Sequence, residues 1–77
     1  MRETDLSRLE EGQQALVTEV REDGAMGRRL RDMGLVRGTP VRCLQVSPLG
    51  DPVAYLIRGA VVALRRADSR MIRVEPL

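Results

Sequence analysis

The stretch Val53-Ala54-Tyr55-Leu56-Ile57-Arg58-Gly59-Ala60-Val61-Val62-Ala63-Leu64 decides the fold. It is two apolar runs separated by Arg58-Gly59, and a two-residue loop containing Gly joins antiparallel strands into a hairpin. That turn sets the register: Ile57 faces Ala60, Tyr55 faces Val62, and Val53 faces Leu64. Those six residues share one apolar face. The opposite face carries Ala54 and Leu56 against Val61 and Ala63, which are apolar too. A solvated antiparallel sheet keeps only one face apolar. One face therefore lines an interior, and the other needs a cover: the N-terminal arm with Leu6 and Leu9, a second copy, or a partner.

After the hairpin, Ala67-Asp68-Ser69-Arg70 suits a tight turn before a last strand from Met71 to Val74. Ahead of the hairpin, Ser47-Pro48-Leu49-Gly50-Asp51-Pro52 is a loop of turn residues, preceded by a strand from Val41 to Val46. Met26, Leu30 and Met33 recur at helical spacing, with Asp23 as N-cap. Gly34 fits the left-handed position after the helix, and Leu35 packs back onto Leu30. Gly24 and Gly27 shorten that helix. Ala15 to Val20 reads as the first strand, with a bulge because Val17 and Val20 break alternation. Leu6 and Leu9 mark a short helical turn or tucked arm. Five short strands with one helix inserted between the first two make a small, strongly bent barrel, mainly β.

Composition narrows what such a barrel can do. At 77 residues the chain forms one domain, residues 1–77, with one small core. A chain of this size buries only about 60% of the surface its unfolded form exposes, so surface binding suits it better than an enclosed cleft. Residues 1–23 hold seven acids and three Arg, net −4; residues 24–77 hold ten Arg and four acids, net +6. All 13 basic residues are Arg, whose planar fork suits carboxylate or phosphate, although genomic codon bias explains the same usage. Cys43 is alone, which fits a reducing compartment. No apolar run approaches the roughly 18 residues that span a membrane. No signal-peptide stretch follows Met1. Both features point to the cytoplasm.

The assembled pieces resemble the FeoA family. The matching residues are Arg28-Arg29-Leu30-Arg31-Asp32-Met33-Gly34-Leu35, Gly38-Thr39-Pro40-Val41, and Pro48-Leu49-Gly50-Asp51-Pro52. Arg58-Gly59, Ala63-Leu64-Arg65 and Ile72-Arg73-Val74 complete the set, in order and across most of the chain. One departure is visible: Arg37 stands where the family often has Pro before Gly38. The resemblance implies an SH3-like barrel. It also implies an accessory of ferrous iron uptake, docking on and modulating the cytosolic side of the FeoB-type membrane permease. Similar domains end iron-dependent repressors, so fold alone does not settle the role.

The chemistry of the residues supports a non-catalytic role. There is no His, and the scattered carboxylates lack paired spacing, so neither a metal site nor a cofactor is expected. Ser7, Ser47 and Ser69 have no base to activate them. Cys43 reads as a small buried hydrophobe. Arg28, Arg29, Met33, Leu56 and Val61 are the candidate partner-contact residues. Gly34, Gly38, Gly50 and Gly59 are expected to shape turns. Two other readings stand beside this one. A nucleic-acid-binding barrel would want aromatic stacking platforms, and Tyr55 is the single aromatic residue and points inward. A detached regulatory domain of a metal-dependent repressor would want a helix-turn-helix segment, which is absent.

Overall fold

The computed structural model describes residues 2–21 and 24–77. The decisive hairpin pairs strands β4 (Val53–Ile57) and β5 (Ala60–Leu64) in the register that the turn dictates. Ile57 opposes Ala60, Leu56 opposes Val61, Tyr55 opposes Val62, and Val53 opposes Leu64. Arg58 (φ 50°) and Gly59 (φ 81°) both take left-handed conformations. That is the type I′ geometry whose twist matches the flanking strands. Val53, Tyr55, Ile57 and Leu64 are buried and Val62 is half-buried. Ala60 departs from the expected inward face and is exposed, because it lies beside the turn on a strand that, among the described residues, has a neighbour on one side only.

Among the described residues six antiparallel strands make the sheet, in the order β1–β6–β2–β3–β4–β5. The additional strand is β1 (Thr4–Asp5), which pairs with β6 (Ile72–Pro76). Its two residues carry no alternation from which a strand could be read. Strand β2 (Gln14–Val20) bulges between Val17 and Glu19, where the apolar alternation fails. A second bulge interrupts β3 (Pro40–Val46) between Cys43 and Gln45. Bulges strengthen local twist, so two of them help curl a small sheet round one interior. A 3₁₀ turn at Leu6–Arg8 follows β1, capped by the Asp5 side chain accepting from the Ser7 N–H at 3.0 Å. This turn delivers Leu6 and Leu9 into the core. The arm therefore caps the interior, and the outer hairpin face goes without that cover. The Tyr55 hydroxyl donates to the Leu6 carbonyl at 3.2 Å, fastening the arm to the centre of the core.

Helix α1 spans Gly24–Asp32, and the expected cap Asp23 lies outside the described residues. Its last turn closes as a Schellman motif: Leu35 N–H donates to Leu30 C=O at 3.1 Å and Gly34 N–H to Arg31 C=O at 2.9 Å. Gly34 has φ 102°, a conformation that side chains beyond Gly rarely adopt. Leu30 and Leu35 are both fully buried, while Met26 and Met33 pack against the core from its edge. Helix α2 (Arg66–Ser69) replaces the tight turn expected at residues 67–70. Arg66 holds it in place. Its Nε donates to Gly50 C=O (2.6 Å), a guanidinium nitrogen to Ser7 C=O (2.8 Å), and its backbone N–H to Asp51 Oδ1 (3.0 Å).

Candidate functional site

Helix α1 presents Met26 and Arg29, with Met33 just past its end, across an open groove from Val62, Leu64 and Arg65 of the β5 region. The groove measures about 580 Å³. Its apolar floor follows from the helical spacing of the two methionines and their incomplete burial. Among the described residues Asp68 is the single carboxylate on its lining, against Arg29 and Arg65. On the outer hairpin face, Leu56 lies in a shallower depression of about 290 Å³, among Gln14, Pro40, Arg42 and Arg58. Its cross-strand partner Val61 is 68% exposed. A β-branched apolar side chain held that far into water marks a face without an internal partner.

The five candidate contact residues thus fall into two groups. Arg29 and Met33 meet in the groove, and Leu56 and Val61 form a cross-strand pair on the outer face. Arg28 is exposed on α1 and lines neither depression. Reasoning from sequence missed Arg65 and Val62 as groove residues, because only the placement of α1 beside β5 joins them to Met26 and Met33.

Charge follows the same division. Among the described residues the ion pairs are Arg8–Asp5, Arg21–Glu19 and Arg73–Glu3, at 3.7, 3.8 and 3.2 Å. All three use carboxylates from the acidic N-terminal segment. The Thr18 hydroxyl, followed by Arg73, holds the Glu3 carboxyl below the usual range. None of these pairs among the described residues engages Arg29, Arg58 or Arg65; Arg58 gives its Nε to the Gly34 carbonyl at 3.3 Å.

Inside the barrel, Cys43 is fully buried opposite Tyr55. Burial pushes its thiol pKa up, and Glu11 pushes the same way. The thiol is therefore protonated near neutrality, the opposite of what a nucleophile or ligand needs. Among the described residues no three His, Cys, Asp or Glu side chains converge as a metal site would require. No helix among them is long and apolar enough to cross a membrane.

Fold and surface together define a small SH3-like barrel with open, cationic-rimmed apolar grooves. The FeoA domain family matches residues 4–76. The chain belongs to the FeoA family. It is 41% identical over 70 residues to the Fe(2+) transport protein A/Fe(2+) transporter FeoB fusion protein of Porphyromonas gingivalis. That match spans 91% of this chain and 8% of the relative's length. The solution structure of the FeoA protein of Chlorobium tepidum superposes with TM-score 0.90 at 40% identity, covering 96% of this chain and 70% of that one. The zinc-complexed FeoA of Stenotrophomonas maltophilia, described as a prokaryotic SH3 domain protein, gives TM-score 0.85 at 30% identity, covering 94% of this chain and 89% of that one. A manganese-dependent transcriptional repressor shares the fold at 21% identity, where the likeness concerns the fold alone.

Proposed function

We propose that this protein is a non-catalytic accessory of ferrous iron uptake that docks on the cytosolic side of a FeoB-type permease and modulates it. The observation that carries this reading is the relative in which a segment 41% identical to this chain is joined covalently to a FeoB transporter. Fusion holds two modules at an effective concentration of about millimolar, which secures an interaction that separate chains must supply through their own contacts. The open apolar grooves, with Arg29, Arg58 and Arg65 at their rims, suit such contacts. An oligonucleotide-binding role is disfavoured because the single aromatic residue, Tyr55, is fully buried and offers no stacking surface. Titrating the separately expressed cytosolic domain of the permease against this protein in a calorimeter tests the reading. Saturable binding is the expected outcome, and no heat at any concentration reached would overturn it.

A further inference from the structure

We propose that the free edge of β5, together with the Met26–Met33 groove beside it, is a strand-addition site for an extended, acidic–apolar segment of a partner protein. In the sheet order β5 is terminal, with β4 as its one neighbour among the described residues. The two-residue turn makes Ile57 and Ala60 the pair that exchanges both backbone hydrogen bonds. By alternation Tyr55–Val62 and Val53–Leu64 do the same. The N–H and C=O groups of Val61 and Ala63 then point away from β4, towards the open edge. Both residues are exposed. Unpaired edges of this kind accept an added strand, whose main chain supplies affinity while alternate side chains supply specificity.

The surroundings say what kind of segment fits. Side chains of an added strand alternate between the outer face, where Val61 is 68% exposed, and the groove floored by Met26, Met33 and Val62. Both surfaces favour apolar residues, and methionine adapts its shape to whichever arrives. Around them stand Arg29, Arg65 and the turn residue Arg58, in no ion pair among the described residues. A segment carrying Asp or Glu next to its apolar residues is the complement. A second copy of this chain is not. Pairing β5 antiparallel with itself would set Arg58 of one copy against the Arg65–Arg66 end of the other, and like charges across a strand pair repel.

This inference rests on the permease reading only for the source of the segment, so its test has two arms. The first probe is a short synthetic peptide alternating Val and Glu, with the Val/Lys peptide as control, followed by amide exchange at single residues. At millimolar Val/Glu peptide, exchange at Val61 and Ala63 is expected to slow by about tenfold or more. The Val/Lys control should leave it unchanged. Val61→Pro removes an N–H that serves no internal ladder bond, so it should keep the melting temperature and lose the peptide. Should that variant fold poorly, Arg29→Glu with Arg65→Glu, both on exposed positions, should instead reverse the preference between the two peptides. Unchanged exchange at Val61 and Ala63 with both peptides would overturn the proposal, as would a charge-reversed variant that still prefers Val/Glu. The second arm uses the permease cytosolic domain. If that domain binds while the two amides exchange as before, the edge site is wrong and docking stands. If the peptide protects them and the domain does not bind, docking fails and the edge site stands.

Discussion

Gly34 gathers several constraints onto one backbone unit. Its carbonyl accepts from the Thr39 hydroxyl at 2.7 Å and from Arg58 Nε at 3.3 Å, so the helix end and the hairpin turn meet there. A Cβ at this position would lie 2.5 Å from Arg58 Cδ, and φ is 102°. The Arg58 side chain can swing aside, but the backbone conformation cannot be relieved for a β-branched residue. Gly34→Val is therefore expected to cost at least about 1 kcal/mol. A thermal melt that matches the parent protein would show that the helix end rearranges freely. Tyr55 offers a second test at this scale. Burial pushes its phenol pKa up to about 12 from the ordinary 10. The native state thus favours the neutral phenol, and the associated stability is fully present below pH 10 and is lost as pH rises towards about 12. Cys43, also raised by burial, adds loss in the same direction from about its ordinary value of 9 upward. As Tyr55 is the single aromatic residue, its near-ultraviolet absorbance reports the ionisation directly. Unfolding above pH 10 should coincide with tyrosinate formation, and Tyr55→Phe should shallow the alkaline loss. That variant should also lose about 1 kcal/mol at neutral pH with the hydrogen bond to Leu6.

At the scale of elements, what could be read in advance was what has a local rule. The register of β4 and β5 follows from a two-residue turn, and the end of α1 follows from Gly34 standing before Leu35. The bulge in β2 shows as broken alternation at Val17 and Val20. Strand β1 had no such signature, since two residues define no period. Leu6 and Leu9 did read as a short helical turn or tucked arm, which the structure has; what had no local signal was its fastening to Tyr55, 49 positions from Leu6. On the candidate surface, Arg29 and Met33 were legible from the helix face, whereas Val62 and Arg65 join them only through tertiary placement. Arg66 is the clearest case of an element-level residue hidden in sequence. As one arginine among 13 it looks like surface charge, yet it ties α2 to residues 50 and 51 and to the arm at Ser7. Arg66→Met keeps the apolar stem and removes the guanidinium, leaving two carbonyl acceptors without their donor. A loss of about 1–3 kcal/mol is expected, and amide exchange should quicken first in residues 6–9 and 66–69. Uniform quickening across the barrel would instead mean that these segments open only with the whole domain.

For the molecule as a whole, the two faces of the hairpin differ in burial, one lining the core and the other turned to solvent. Tyr55 and Leu56 are neighbours in sequence on the same strand, yet Tyr55 is fully buried and Leu56 is half-buried beside Arg42 and Arg58. A carboxylate at position 55 would be sealed in the core, at a cost of several kcal/mol in a domain whose whole stability is of the order of 5–15 kcal/mol. A carboxylate at position 56 would reach water and sit opposite Arg42 in the β3–β4 register. Tyr55→Glu is therefore expected to unfold the protein, and Leu56→Glu to melt within a few degrees of the parent. If the outer face takes part in docking, Leu56→Glu also weakens binding of the permease cytosolic domain, because it replaces apolar contact area with a hydrated charge. Measuring both variants by thermal melt and calorimetry separates the outcomes. Equal unfolding by the two substitutions would mean that Leu56 is buried within the domain and the face is not available. Parent-like stability with parent-like binding would confine docking to the β5 edge and the α1 groove, where Arg29 and Arg65 stand.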